Sequence, residues 1–353
     1  MNLTLEEMLL DQCSRYPDLA PADLFKALHQ RTFGCGHFVS SSDKGLAYLK
    51  TEAEACPTVD PVELLGGGWC RIHLSALTAY GLSPETLYRL FVRSAEQTPA
   101  GQSLQEGLDT LLRLAQDGQI PFSAESVSLG ISEWRLQGFT ARHHSEGFRQ
   151  AYHPAYRVIR SEYAELLPLL GLTDRLLAQK ERVLLAIEGG SCSGKTTLAA
   201  LLDTLYPDTE VFHMDDFFLR PEQRTPERFR EPGGNVDRER FLAEVLTPLS
   251  AGLPINYRSF DCATMSIRPP VHRMPGRLNI IEGAYSMHPA LSEYYDASVF
   301  LRITPEAQLS RLQKRNSPEF VARFLNTWIP LELAYFEALQ PESHCTLTLE
   351  VGQ

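Results

Sequence analysis

The feature that most constrains the fold is a glycine-bounded segment in the middle of the chain, Gly189-Gly190-Ser191-Cys192-Ser193-Gly194-Lys195-Thr196. It follows a short apolar run, Val183 to Ile187, that is typical of a buried parallel strand. The residues after it, Thr197 to Leu205, have the pattern of a helix. A strand, a tight glycine turn and a helix in this order predict one unit of a parallel α/β sheet.

The spacing of this segment matches G-x-x-x-x-G-K-[ST], the phosphate-binding loop or P-loop, in full. Glycines let successive N–H groups point at phosphate oxygens, and the following helix adds its positive N-terminal end. ATP is therefore predicted to bind Gly189, Gly190, Ser191, Cys192, Ser193, Gly194, Lys195, Thr196 and Thr197. Lys195 is expected to reach the β- and γ-phosphates, and the Thr196 hydroxyl to bind Mg²⁺. The alternative is a glycine turn with a structural role only.

Strand and helix patterns alternate over the rest of the C-terminal half. Further strands are predicted at Val211-Phe212, Leu278 to Ile281, Ser298 to Ile303 and Thr346 to Val351. Helices are predicted at Arg238 to Leu249 and Pro305 to Arg315. The fold class predicted for residues 181–353 is therefore α/β, a P-loop NTPase parallel sheet with helices on both faces.

Acidic residues follow two of these strands. Asp215 and Asp216 come after the second strand, and carboxylates at the carboxyl end of such a sheet face the phosphates. Asp215 could accept the proton of an attacking hydroxyl, with Asp216 and Phe218 beside the acceptor. Glu282 ends the next strand and is expected to hold Mg²⁺ together with Thr196. The alternative for Asp215 and Asp216 is that they only cap a helix. The alternative for Glu282 is that it is an ordinary carboxylate at the end of a strand.

Arginines form two further groups. Arg311 and Arg315 lie four residues apart, hence on one helix face, and could stabilise a phosphoryl group during transfer. A solvated helix face is the alternative. Six more arginines lie between residues 220 and 240, which indicates either an anionic acceptor or salt bridges with the neighbouring glutamates.

The C-terminal half resembles the uridine kinase-like branch of P-loop kinases, which includes phosphoribulokinases and bacterial pantothenate kinases. Five stretches carry the likeness in order: Gly189 to Thr197, Asp215 to Phe218, Asn235 to Asp237, Glu282-Gly283 and the segment around Arg311. The resemblance implies that Asp215 is the catalytic base, that Asp237 contacts the acceptor hydroxyl and that Tyr257 lines the acceptor pocket. Uridine kinases usually follow this tyrosine with a phenylalanine and then a histidine, whereas this chain has no histidine after Tyr257 until His272, so the resemblance leaves recognition of a pyrimidine open.

Residues 1–175 are predicted to form a mainly α-helical domain of unknown function. Apolar residues recur at helical spacing in Pro21 to Gln30, Ser83 to Ala95, Leu104 to Leu114 and Tyr156 to Leu170. Ser83 can cap its helix, and Pro84 suits the first helical position. Gly171 to Glu181 is interpreted as the link between the halves, although Leu176-Leu177 could extend a helix.

Polar residues of this N-terminal half allow three hypotheses. One is a tetrahedral zinc site formed by Cys35, His37, Cys70 and His73. Buried thiols and hydrogen-bonded histidines explain the same residues without a metal. Another is a pocket for a phosphorylated or carboxylated small molecule, formed by His37, Arg71, His73, His153 and Arg157. The third is a helical scaffold or dimerisation module.

Composition narrows the range of partners. The formal net charge of −11 makes a nucleic-acid partner unexpected. No stretch approaches the ~18 apolar residues of a membrane span, and the first residues lack the pattern of a signal peptide. Seven scattered cysteines are typical of a reduced, cytoplasmic protein. The expected partner is a small-molecule substrate, and a homodimer stays open.

Together these patterns predict an ATP- and Mg²⁺-dependent kinase that phosphorylates a hydroxyl of a nucleoside-like or other small metabolite. The main alternative is a nucleotide-binding regulatory module that controls the N-terminal domain and has no acceptor substrate. A third hypothesis is a bifunctional protein whose N-terminal half makes or consumes the product of the kinase.

Overall fold

The structure is a computed structural model and describes residues 3–35, 42–96 and 103–352. It divides into two compact units, Met1–Asp174 and Arg175–Gln353. Each unit has a hydrophobic core of its own. Within the described ranges, every helix is too short or too polar to cross a bilayer.

The N-terminal unit is mostly helical, as its apolar spacing predicts. Its helices are α1 (Leu5–Arg15), α2 (Pro21–Phe33), α3 (Ser42–Glu54), α4 (Ser75–Tyr80), α5 (Pro84–Ala95), α6 (Leu104–Gln116), α7 (Ala124–Leu136), α8 (Glu146–Tyr152) and the start of α9 (Leu167–Gln179). Ser83 caps α5 as expected, because its hydroxyl accepts the Thr86 N–H at 3.1 Å. Leucine and aromatic side chains of α1, α2, α6 and α7, with Trp134 among them, form the core.

A small antiparallel sheet, which the sequence analysis missed, completes this unit. It consists of β1 (Val62–Gly66), β2 (Trp69–His73) and β3 (Tyr156–Arg160), in that order. The helix predicted from Tyr156 to Leu170 is therefore wrong over its first part. Val158 and Ile159 are β-branched and buried, and pairing of β3 with β2 outweighs the helical spacing of the apolar residues. A 3₁₀ turn, Ser161–Leu166, then leads into α9, which extends through most of the predicted link.

The C-terminal unit is built on a five-stranded parallel sheet, which confirms the predicted fold class. Its strands are β4 (Val183–Gly189), β5 (Thr209–His213), β10 (Leu278–Glu282), β11 (Ala297–Ile303) and β12 (Leu347–Val351), in the order β12-β11-β4-β10-β5. Four shorter strands form two small ribbons outside it: β6 (Ile255–Tyr257), β7 (Phe260–Asp261), β8 (Ser266–Ile267) and β9 (Val271–Arg273). Every residue of β4 is buried, as expected for the central strand.

Helices connect and cover these strands. They are α10 (Lys195–Leu205), α11 (Pro226–Arg230), α12 (Arg238–Phe241), α13 (Thr247–Ser250), α14 (Pro289–Ser292), α15 (Pro305–Arg315), α16 (Pro318–Arg323), α17 (Ile329–Leu339) and α18 (Pro341–His344). The predicted helix from Arg238 to Leu249 is interrupted by a π-helical turn, Leu242–Leu246, and a second such turn, Phe324–Trp328, precedes α17.

The register of the sheet places polar residues at one edge. Glu282, the last residue of β10, lies opposite Ile187 of β4 and His213 of β5. The carboxyl ends of three neighbouring strands therefore meet, and the loops that follow them share one region of the surface.

Candidate functional site

The loop that follows β4 has the backbone shape of a phosphate cradle. Gly189 and Gly194 have φ angles of 149° and 103°, which residues with a Cβ atom rarely adopt. A Cβ atom on Gly189 would lie 2.7 Å from the Leu301 carbonyl oxygen. Gly194 is the N-cap of α10 and supplies no side-chain cap, so the first N–H groups of this helix are open to an anion.

Side chains around the loop hold its carbonyl groups. Lys195 Nζ donates to the carbonyl oxygens of Gly189 and Gly190, at 2.9 Å in both cases. From α15, Gln308 donates to the Ser191 carbonyl at 2.8 Å, and Arg311 donates to the Cys192 carbonyl at 3.0 Å. The C=O and N–H groups of a planar peptide point in opposite directions. Because these side chains bind the loop carbonyls, the loop N–H groups point to the opposite side of the loop.

Ser193 supplies a test of whether a phosphate fits here. Its side chain is buried, and its hydroxyl has no hydrogen-bond partner among the described residues. A buried hydroxyl without a partner is unfavourable, and a phosphate oxygen could accept from it. The residues predicted to bind ATP are thus arranged in a way that suits a triphosphate. Thr197 lies in the first turn of α10 and is exposed.

The two residues predicted to hold Mg²⁺ are in contact. Thr196 Oγ1 donates to Glu282 Oε1 at 3.1 Å, and His213 Nδ1 lies 2.6 Å from the same carboxylate oxygen. Hydroxyl and carboxylate oxygens are the ligands that Mg²⁺ prefers, so this pair fits the ion. The bond to Glu282 raises the pKa of His213, which favours a protonated imidazole next to the carboxylate.

Asp215 and Asp216 lie on a 3₁₀ turn, Met214–Phe217, directly after β5. Asp215 is accessible to solvent, although many protein atoms surround it. This desolvation raises the pKa of Asp215, and the Glu282 carboxylate raises it further, while Lys195 and His213 offset part of the effect. The carboxylate therefore lies within electrostatic reach of both the P-loop lysine and the candidate metal ligand.

The residues assigned to the acceptor by resemblance have other contacts. Asp237 is buried, and its two carboxylate oxygens accept from the Arg240 N–H at 3.1 Å and from Gln223 Nε2 at 3.0 Å. Tyr257 is buried, with its ring stacked on Phe217 at 5.8 Å. Phe218 is half-buried and bridges to Val236. The acceptor roles of Asp237, Tyr257, Asp216 and Phe218 stay predictions.

Only one of the two arginines of α15 touches the loop. Arg311 contacts the carbonyls of Cys192 and Ser193, at 3.0 and 3.3 Å. Arg315, one turn later, is exposed. A role for Arg315 in charge stabilisation stays a prediction.

Ion pairing accounts for most of the arginines between residues 220 and 240. Four of them form ion pairs with glutamates: Arg220–Glu222 at 3.2 Å, Arg228–Glu239 at 2.7 Å, Arg230–Glu227 at 3.0 Å and Arg238–Glu231 at 2.8 Å. Arg240 pairs with Asp237, and the Arg224 guanidinium lies over Phe260. Of the two interpretations of this cluster, the structure favours salt bridges, and the inference of an anionic acceptor loses its main support.

Glu188 is a buried carboxylate next to the loop that the sequence analysis missed. It accepts hydrogen bonds from the Gly189 and Met287 N–H groups, at 2.8 and 2.9 Å, and from the Tyr335 hydroxyl at 3.0 Å. Burial raises its pKa to about 7. These contacts fix the end of β4, and the signal in the sequence is a charged residue between the apolar Ile187 and the first loop glycine.

Glu332 of α17 is another carboxylate whose contact with the loop was not predicted from the sequence. It is 5% exposed, and its carboxylate accepts from the Ser191 N–H at 2.9 Å and from the Ser191 hydroxyl. Burial raises its pKa. The Glu332 carboxylate thus accepts a hydrogen bond from one of the loop N–H groups, and no motif near residue 332 indicates this contact.

The N-terminal residues considered for zinc have partners of other kinds. His73 and Arg71 both bind Glu63, at 2.9 and 2.6 Å, and the buried Cys35 and Cys70 thiols lie against carbonyl oxygens. His37 lies outside the described residues. Among those described, no group of three or more His, Cys, Asp and Glu side chains could hold a metal ion. Of the residues considered for a ligand pocket, His153 is exposed, and Arg157 pairs with Glu52 at 2.8 Å.

Solved structures similar to this chain include a possible uridine kinase from Bacillus stearothermophilus, at 22% identity and a TM-score of 0.39, over 50% of this chain and 96% of that one. A proposed fructose transport system kinase from Silicibacter sp. TM1040 is similar at 27% identity and a TM-score of 0.39, over 48% and 90% of the two chains. A shikimate kinase from Bacteroides thetaiotaomicron is similar at 13% identity and a TM-score of 0.26, over 48% and 87%. No protein-family model and no curated protein matches the sequence.

The likenesses to a possible uridine kinase and a fructose transport system kinase each extend over about half of this chain. With TM-scores below 0.5, these likenesses carry no conclusion about the function of this chain.

Proposed function

We propose that the C-terminal unit is an ATP-dependent kinase that transfers the γ-phosphate to a hydroxyl group of a small metabolite, nucleoside-like or other. The observation that carries this proposal is the convergence of three elements at the carboxyl ends of β4, β10 and β5. These are the P-loop with Lys195, the Thr196–Glu282 pair, and the accessible carboxylate of Asp215. A regulatory nucleotide-binding module needs the first two of these but has no use for a base beside them.

In this proposal the acceptor oxygen attacks the γ-phosphorus. The bond between the γ-phosphorus and the β,γ-bridging oxygen breaks, and ADP leaves. Asp215 orients the acceptor hydroxyl and takes up its proton. Lys195 moves from the loop carbonyls to the phosphates, and Arg311 neutralises charge on the transferring group. A Mg²⁺ ion held by Thr196 and Glu282 would supply further positive charge for the phosphates.

The proposed acceptor is a small hydroxyl compound, and contact with nucleic acid is no part of the proposal because the chain carries a formal net charge of −11. The proposed compartment is the cytoplasm, where ATP is available and the seven cysteines stay reduced. A homodimer is compatible with this mechanism but is not required by it.

The test is an acceptor screen with the purified full chain, ATP and Mg²⁺. Pools of sugars, nucleosides and other hydroxyl compounds are added, and ADP release and the mass of each compound are followed. We expect one class of compound to accelerate ADP release and to gain a phosphate, and the Asp215→Asn variant to lose this acceleration. Slow hydrolysis that no hydroxyl compound accelerates would instead favour the regulatory module.

A further inference from the structure

The first turn of α17 places a carboxylate directly against the P-loop. Both oxygens of Glu332 contact Ser191, since Oε2 accepts from its N–H at 2.9 Å and Oε1 accepts from its hydroxyl. A Cβ atom on Gly190 would lie 3.3 Å from Glu332 Oε2, so the carboxylate packs on the loop backbone itself. An oxyanion of this chain thus binds donors of the kind that hold a phosphate oxygen.

Burial makes this contact easier to break than its two hydrogen bonds suggest. Glu332 is 5% exposed, and both of its hydrogen bonds come from a neutral residue, Ser191. Desolvation raises the pKa of Glu332, and Lys195 offsets only part of this effect. The Lys195 ammonium donates to the carbonyls of Gly189 and Gly190. Release of Glu332 from the loop would return its charge to water, which offsets the loss of the two bonds.

The charges around Glu332 indicate which phosphate it opposes. Asp215 raises the pKa of Glu332, so the two carboxylates lie within electrostatic reach of each other. Both of them also raise the pKa of the buried Tyr285 hydroxyl. In the proposed mechanism Asp215 acts where the acceptor meets the γ-phosphorus. Glu332 therefore lies on the γ-phosphate side of the loop.

The helix that carries Glu332 is broken just before this residue. Pro330 lies in the first turn of α17 and has no N–H to give to the Asn326 carbonyl. The preceding turn, Phe324–Trp328, is π-helical, and the N–H that follows it donates to the Phe324 carbonyl five residues back. Helices bend at prolines and at π-helical turns. The first turn of α17 can therefore tilt without unfolding the helices on either side.

Contacts and space on the two sides of this turn define the part that can move. One turn later, Tyr335 is completely buried and donates to Glu188 at 3.0 Å, which fixes the rest of α17. Beside the first turn, a cavity of about 610 Å³ lies between α17, the start of α15 and the end of β11. The mobile part is therefore Ile329–Leu333, and the cavity gives it room.

We propose that the first turn of α17 is an autoinhibitory latch, in which the Glu332 carboxylate takes the place of the ATP γ-phosphate until ATP displaces it. ATP must expel this carboxylate, whereas ADP lacks the γ-phosphate and binds with the latch closed. The latch therefore weakens the binding of ATP more than that of ADP. This regulation rests on the proposed binding of ATP by the P-loop and is independent of the identity of the acceptor.

The test is calorimetric titration of the full chain with Mg²⁺ and either ADP or AMP-PNP, an ATP analogue that is not hydrolysed. We expect Glu332→Gln to bind AMP-PNP about fivefold more tightly and ADP within about twofold of the wild type, because glutamine carries no charge to repel the γ-phosphate. Glu337→Gln, an exposed position of the same helix, should bind both like the wild type. An equal gain for the two nucleotides, or no gain for AMP-PNP, would overturn the latch.

Hydrogen–deuterium exchange of the same proteins follows the movement. We expect AMP-PNP to speed amide exchange in residues 324–333 of the wild type, and ADP to leave it unchanged. Residues 335–339 should exchange alike in all states and serve as the internal control. Glu332→Gln should show the faster exchange of residues 324–333 without any nucleotide. Exchange in this segment that AMP-PNP slows or does not alter would contradict a latch that opens.

The Lys195→Ala variant separates this proposal from the proposed function. No binding of AMP-PNP by the wild type, or binding that survives in Lys195→Ala, would refute the P-loop as the nucleotide site and the latch with it. Binding that requires Lys195 but is the same in wild type and Glu332→Gln would refute the latch alone.

Discussion

The side chain of Glu282 interacts with both the proposed Mg²⁺ ligand Thr196 and the proposed base Asp215. Its Oε1 accepts from Thr196 at 3.1 Å and lies 2.6 Å from His213 Nδ1, and its charge helps to raise the pKa of Asp215. His213 offsets part of this effect, because its interaction with Asp215 lowers the pKa of that carboxyl. Substitution of His213 should therefore change the pKa of Asp215, the proposed base.

The variant His213→Gln tests this coupling. Glutamine keeps a hydrogen bond to Glu282 but removes the positive charge, so the pKa of Asp215 should rise further above that of an ordinary aspartate. Because the base works only when ionised, we expect the acid limb of the kcat/KM profile to move to higher pH. The exposed His344→Gln serves as a control. An acid limb at the same pH in wild type and His213→Gln would contradict the coupling.

Glu332 allows a second test at this scale. Its carboxylate accepts from the Ser191 N–H, so a negative charge lies where the loop would meet phosphate. We expect Glu332→Gln to bind ATP roughly fivefold more tightly, as about 1 kcal/mol for a partly screened charge pair implies. The exposed Glu337→Gln, on the same helix, should leave the ATP dissociation constant unchanged. Weaker binding by Glu332→Gln would show that this carboxylate supports the loop instead.

The helix α15 contacts the P-loop through two side chains. One face of it carries Gln308 and Arg311 to the loop carbonyls, while Arg315 stays exposed on the next turn. The helix therefore braces the loop, and the proposed mechanism gives Arg311 a second role at the transferring phosphoryl group.

Substitution of the two arginines separates these contributions. We expect Arg311→Ala to lower kcat/KM about 10²-fold, because it removes a charge that acts on the transferring group. Arg315→Ala should cost less than tenfold, and it serves as the matched control on the same helix. Steady-state kinetics with the acceptor found in the screen provide the measurement, and an equal or larger loss in Arg315→Ala would reverse the assignment.

The elements that the sequence predicts well are those fixed by local signals. The helix from Pro305 to Arg315 has an N-cap, a proline at its first position and basic residues in its last turn, and its predicted bounds coincide with those observed. The strand from Tyr156 to Arg160 was missed because its identity comes from pairing with β2. Glu188 and Glu332 reach the loop through tertiary packing, which no spacing in the sequence reveals.

At the scale of the whole molecule, two units with different chemistry share one chain. The C-terminal unit holds the P-loop, and the N-terminal unit holds a dense buried polar network around Arg71 and Glu63. Its neighbour His144 is buried and neutral, which ties the stability of the chain to pH.

The contribution of His144 to stability is expected to fall as the pH is lowered from 6.5 to about 4. The pKa of His144 is lowered from 6.5 to about 4, so in this window the unfolded chain binds a proton that the folded chain does not. Unfolding then becomes easier by up to about 1.4 kcal/mol per pH unit. Denaturant unfolding of the full chain at several pH values gives the slope. His144→Gln should flatten it, whereas the exposed His143→Gln should not, and an unchanged slope in His144→Gln would contradict this origin.

The most direct measurement compares ATP binding with turnover in the wild type, Lys195→Ala and Asp215→Asn. The account predicts that Asp215→Asn loses about 10²- to 10³-fold in turnover while its ATP dissociation constant stays within about twofold of the wild type. Lys195→Ala should lose both binding and turnover, since its ammonium group serves the phosphates. An Asp215→Asn variant that loses ATP affinity as much as turnover, or that keeps full turnover, would contradict the division between the loop and the base.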